Sequence, residues 1–158
     1  MKSFLVGILL FLTSLSFSGT ADAANLVEKD LQRYQVFNEQ LAQKYQIDQL
    51  MTKFEQEAAQ AVTLEEIDKV LKDLDELLGN LEKDLKTFKP KSFEVGDPYG
   101  EIKRGFQQAR KGLREMSRGI SAQDTDIINK ASNLFEEGIN QVTKGESRIK
   151  ELLEAHNM

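Results

Sequence analysis

Residues 63–88 read TLEEIDKVLKDLDELLGNLEKDLKTF, and this stretch decides the fold. Apolar side chains fall at Ile67, Leu71, Leu74, Leu78, Leu81, Leu85 and Phe88, in alternating steps of four and three. That spacing keeps one stripe on one face of an α-helix and is the heptad pattern of helices that pack side by side. Thr63 with Glu66 three residues on predicts a capping box at the helix start. The rest of the segment is mostly acidic: Glu65, Glu66, Asp68, Asp73, Asp75, Glu76, Glu82 and Asp84 outnumber its lysines.

The same period continues on both sides. Upstream, Leu31, Tyr34, Phe37, Leu41 and Tyr45, then Leu50, Met51, Phe54, Ala58 and Ala61, predict a helix from Leu26 to Ala61. Asp48 is placed to cap a break near Ile47, which would divide it in two. Downstream, Pro90, Ser92, Gly96 and Pro98 predict a linker over residues 89–97, with Asp97 as N-cap and Pro98 as first helical residue. A third helix then carries Tyr99, Ile102, Phe106, Ala109, Leu113, Met116 and Ile120. After a short break at residues 121–124, a fourth carries Ile128, Ala131, Phe135, Gly138, Val142, Gly145, Ile149, Leu152 and His156. No alternating strand pattern occurs. The expected architecture is an antiparallel four-helix bundle, one domain over residues 24–158, made of hairpins 26–88 and 98–156.

Residues 105–120, GFQQARKGLREMSRGI, repeat every seven positions at Gly105, Gly112 and Gly119. Ala131, Gly138 and Gly145 repeat at the same interval on the fourth helix. A helical glycine costs about 1 kcal/mol relative to alanine. Five of them therefore need an offsetting contact, and close backbone approach supplies one. In a hairpin centred on residue 125, Gly119 faces Ala131, Gly112 faces Gly138 and Gly105 faces Gly145, which predicts a seam of small residues against small residues. A weaker seam that opens to a partner is the other reading of the pattern.

The third helix is basic. Arg104, Arg110, Lys111, Arg114 and Arg118 are the candidate binding surface, with Lys103 beside them. They read either as the complement of the acidic second helix or as a strip that meets an anionic surface, such as lipid headgroups or cell-wall polymer.

The N-terminus reads as an export signal. Lys2 is followed by an apolar run from Phe4 to Leu12, and Ala21-Asp22-Ala23 places small residues around a cleavage site before Ala24. The run is shorter than the ~20 residues that span a bilayer, so residues 1–23 are expected to be removed and the mature chain to act in the periplasm or the medium. With no Cys in the sequence, a lipid anchor on cysteine, disulfides and thiolate metal sites are excluded. A formal net charge of −5 argues against general nucleic-acid binding.

Chemistry is sparse. His156 is the only histidine and lies two residues from the C-terminus, which leaves no catalytic triad and no di-iron centre. A signal peptide, one His in the last helix and one Met in an earlier helix together resemble, in outline, the periplasmic b-type cytochromes of four-helix architecture. That resemblance would make His156 and Met51 haem ligands, but Met51 is placed at the wrong end of an unbroken first helix. No carboxylate is expected on an apolar stripe, so no acid–base site, metal or cofactor is expected. The sequence thus predicts a non-enzymatic binding protein with an adaptor, inhibitor or immunity-type role toward a protein partner. A peripheral envelope protein is the alternative and a b-type haem protein the remote one.

Overall fold

The computed structural model describes residues 26–158, and the predicted signal segment 1–23 lies outside them. Among the described residues the chain is all-helical, with five helices: α1 (Leu26–Tyr45), α2 (Ile47–Gln60), α3 (Leu64–Leu85), α4 (Phe93–Ala122) and α5 (Thr125–Ala155). The predicted first helix is thus two, α1 and α2. Gln46 breaks it by adopting the left-handed conformation, φ 45° and ψ 50°, without a side-chain cap.

Local chemistry explains most helix ends. The capping box forms as expected: the Glu66 amide donates to Thr63 Oγ1 at 3.2 Å, and Glu66 Oε2 accepts from the Thr63 amide at 3.0 Å. Between α4 and α5, Gln123 takes the left-handed position (φ 52°) of a tight helix stop. Its amide donates to Ile120 O and the next amide, Asp124, to Gly119 O, the paired bonds of a Schellman motif. Asp124 then caps α5 by accepting from Asp126 and Ile127, both at 3.0 Å.

The start of α4 differs from the sequence expectation. It begins at Phe93, five residues before Pro98, which stands inside the helix, so the linker is shorter than residues 89–97. The reason is a cap from another helix. Asp30 of α1, 1 % exposed, accepts from the Lys91 amide at 2.5 Å, the Ser92 amide at 2.6 Å and the Ser92 hydroxyl at 3.0 Å. Arg33 donates to its other oxygen at 3.0 Å. Burial raises the Asp30 pKa, but the Ser92 and Lys91 donors outweigh it and hold the group below its ordinary value. Asp97, expected as the N-cap, instead pairs with Arg148 at 2.9 Å.

Two seams organise the core. α4 and α5 pack along their whole length, and α3 lies along α4, its Leu74, Leu78, Leu81 and Leu85 buried. α1 crosses both α4 and α5. It is fixed by an aromatic cluster in which Tyr34 meets Phe88 and Tyr99 edge-on at 5.8 and 6.0 Å, while Phe37 stacks on Phe88 at 5.3 Å. Tyr99 donates its hydroxyl to Leu85 O at 2.7 Å, closing the cluster onto α3. α2 packs on α3 and α1, and Phe54 is its one buried hydrophobic side chain among the described residues.

The glycine ladder lies in the α4–α5 seam, in a register three residues away from the one expected. A Cβ on Gly105 would stand 2.6 Å from Gly138 O and 2.7 Å from the Val142 amide nitrogen. On Gly112 it would meet Phe135 N at 2.6 Å, and on Gly119 it would meet Ile128 Cγ1 at 2.8 Å. Gly138 lies against the Ala109 backbone, and a Cβ on Gly145 would be 2.6 Å from Pro98 O and 2.7 Å from Ile102 Cγ1. Gly112, Gly119 and Gly145 therefore face Phe135, Ile128 and Ile102, while Gly105 and Gly138 approach each other's carbonyls beside Val142 and Ala109. The two-residue turn at Gln123–Asp124 fixes this register, and each notch accepts a side chain or backbone segment of the opposite helix. Interdigitation of this kind fills the interface, whereas glycine against glycine would leave gaps.

Candidate functional surface

α4 divides its basic residues between two environments. Arg110 faces α3. Its Nε donates to Asp75 Oδ1 at 3.0 Å and its Nη1 to Glu82 Oε2 at 2.5 Å, with Gln107 Nε2 adding a bond to Glu82 Oε1 at 3.2 Å. The guanidinium lies over Gly79, where a Cβ would be 2.8 Å from Nη2, so this glycine makes room for the ion pair. Burial opposes ionisation of Glu82, yet Lys86, Arg110 and Gln107 together bring its pKa down to about 2. Ser117 Oγ hydrogen-bonds Asp68 further along the same interface. Arg110 is therefore part of the α3–α4 contact and drops out of the predicted binding strip.

The other four remain outside. Arg104, Lys111, Arg114 and Arg118 are all exposed. At about 100° per residue they fall within an arc of about 80°, and at 1.5 Å per residue the row is about 21 Å long. Arg118 makes a 3.5 Å contact with Glu115 on its own helix. Among the described residues Arg104, Lys111 and Arg114 form no ion pair. Of the acidic side chains of α3, Asp75 and Glu82 pair with Arg110, Asp84 with Lys44 and Tyr45 of α1, and Asp68 with Lys72, and Glu101 of α4 is held by Lys144 at 3.2 Å and Arg148 at 3.0 Å from α5. The result is a row of cations on a helix whose far side is locked by the glycine seam.

One expectation about carboxylates is overturned. Glu146 occupies an apolar stripe, with Ile139, Val142, Ile149 and Leu153 on the same face of α5. Its Oε1 is enclosed and has no hydrogen-bond partner, and burial pushes its pKa up to about 8. The apolar stripe that stands out in the sequence of α5 is the one that faces α4, and Glu146 lies on the adjoining one. A single such acid with no partner nucleophile, base or metal ligand does not assemble a catalytic site.

His156 closes α5 and places Nδ1 3.4 Å from Glu28 Oε1 on the first turn of α1. It thus belongs to the end of the molecule where α1 begins, whereas Met51 lies in α2, beyond the far end of α1, which itself spans roughly 30 Å. The helix break therefore does not bring the two haem-ligand candidates together. Among the described residues no group of three or more His, Asp or Glu could hold a metal ion, and no helix is long and apolar enough to cross a membrane. An open hollow of about 310 Å³ lies outside α1, lined by Gln32, Arg33, Val36, Phe37, Gln40 and Phe88, and it contains no reactive group. Comparison with protein-family models, curated proteins and solved structures gives no match.

Proposed function

We propose that the chain is an exported, non-catalytic four-helix bundle, with α1 and α2 as one interrupted leg, that binds an acidic protein partner through the exposed face of α4. The observation that carries this reading is the row of Arg104, Lys111, Arg114 and Arg118, to which, among the described residues, no neighbouring helix supplies an ion-pair partner. A row of this kind steers an anionic surface to the protein and gains specificity from its geometry. The signal-like segment 1–23 supports action outside the cytoplasm, in an adaptor, inhibitor or immunity-type role.

A protein partner is favoured over a lipid surface by what the face lacks. Peripheral membrane helices place large apolar residues beside their cations for insertion. Of the exposed large hydrophobics Leu26, Val36, Val62, Leu64 and Phe93, only Phe93 is on α4; it shares the angle of the row but stands about 16 Å before Arg104, so a single apolar side chain rather than an apolar band accompanies the cations. The test is a combined charge reversal, Arg104→Glu, Lys111→Glu, Arg114→Glu and Arg118→Glu, in the mature chain, followed by cross-linking in the native host. We expect a stoichiometric complex with the parent protein, weakened by salt and at least tenfold depleted in the variant. Equal capture by both proteins would refute the assignment. Salt-sensitive binding to anionic vesicles with no protein complex would transfer the face to the peripheral-envelope reading.

A further inference from the structure

We propose that α1 is a pH-operated latch on the α4–α5 hairpin, closed while the Glu146 carboxyl is protonated and opened when it ionises. The geometry behind this is a set of polar groups at core positions where α1 crosses α5. Asn38 continues the α1 core series of Leu31, Tyr34 and Leu41, and Glu146 stands between Val142 and Ile149 in the core series of α5. On these two helices three atoms are enclosed without a hydrogen-bond partner, Glu146 Oε1, Asn38 Oδ1 and Gln35 Nε2, and Tyr34, which hydrogen-bonds Asn38, lies within reach of the Glu146 charge. Enclosed, unpaired polar atoms lower the free-energy cost of opening the helix contact that hides them, because opening gives them to water.

Among the described residues no charge inside the contact compensates Glu146. α1 and α4 are the helices packed on α5. From α1, the facing titratable group is Tyr34, which hydrogen-bonds Asn38 and is itself raised by burial first and by the Glu146 charge in addition. From α4 it is Tyr99, whose hydroxyl is committed to Leu85 O, with Lys103 Nζ 5.4 Å above its ring. The nearby cations of α5, Lys144 and Arg148, are engaged by Glu101 and Asp97 of α4. Ionised Glu146 therefore has only one route to stabilisation, which is water, and water reaches it when α1 lifts. The Asp30 bonds to Ser92 and the His156–Glu28 contact hold the N-terminal end of α1, and the Lys44 and Tyr45 bonds to Asp84 of α3 hold its C-terminal end, so Leu31 to Leu41 between them is the part that responds. This inference concerns α1 alone and stands independently of what binds α4.

Amide hydrogen exchange of the mature chain from pH 5 to 9, corrected for intrinsic rates, tests it. Opening of α1 amides should increase about tenfold per pH unit between about 5 and 8, one proton's worth, and level off above. Amides of α4 and α5 should not follow. Glu146→Gln should remove the pH dependence of α1. Opening that is independent of pH in the parent chain, or an unchanged pH dependence in E146Q, overturns the proposal. A carboxyl ¹³C titration of Glu146 in the parent chain gives a second reading that needs no variant. A midpoint near 8 upholds the latch, and a midpoint in the ordinary carboxylate range overturns it.

Discussion

Gly138→Ala is expected to destabilise the protein by about 2 kcal/mol, although alanine is the better helix former by about 1 kcal/mol. The added methyl group would stand 2.7 Å from Gly105 O and closer still to the Ala109 amide nitrogen. Both are backbone atoms of α4, which cannot swing aside as a side chain would. The helices must separate, and separation loosens the contacts of Phe135 and Val142 in the neighbouring notches. Gly100→Ala is the control. Its Cβ would meet only Arg104 Nη1 at 3.3 Å, the free end of a flexible side chain. There the helix-propensity gain stands, and a stabilisation of about 0.5–1 kcal/mol is expected. Urea denaturation followed by circular dichroism measures both. The same substitution should give opposite signs at the two sites, and two shifts of like sign and size would show that the seam is not closely packed.

Glu146→Gln should stabilise the protein by about 2 kcal/mol at pH 8 and have little effect near pH 4.5. The folded-state pKa of about 8 stands above the ordinary carboxylate value, so Glu146 contributes fully below the unfolded value and loses that contribution as pH rises toward about 8. Each unit of pH in that window costs about 1.4 kcal/mol, or about 3 kcal/mol by pH 7. Opening of α1 gives the ionised group to water without global unfolding, which reduces the expected gain to about 2 kcal/mol. Asp30 and Glu82 do not mask the effect. Their pKa values are lowered, so their contributions are lost only as pH falls through acid values. Denaturant titrations of both proteins at pH 5 and pH 8 decide the point. Parallel pH dependence in the two would place Glu146 in contact with water.

Much of this fold is written locally. The heptad run from Ile67 to Phe88, the Thr63–Glu66 capping box and the apolar series of α4 and α5 are read from spacing, and the structure has helices there. What local reading loses are features set by distant residues. The start of α4 depends on Asp30, which caps Ser92 from 62 residues away, so proline chemistry alone pointed to Pro98. The hairpin register depends on a two-residue turn and on bulky residues entering glycine notches. Matching small residues to one another by symmetry therefore missed it by three residues. The candidate face shows the same division. Arg110 and Arg114 are alike in sequence, and only the position of α3, with Asp75 and Glu82, makes one a half-buried partner and leaves the other exposed. Glu146 was hidden because α5 packs against α4 and α1 on adjoining faces, and a single stripe describes only one of them.

The glycine seam holds α4 as a fixed platform, so that four cations are presented in one row. Native-state hydrogen exchange at neutral pH tests this most directly. Amides of α4 and α5 beside Gly105, Gly112 and Gly138 should exchange only through global unfolding, more slowly than those of α2, whose one buried hydrophobic side chain among the described residues is Phe54. If the α4–α5 amides instead exchange faster than those of α3, the hairpin opens on its own and the row of cations is not preformed.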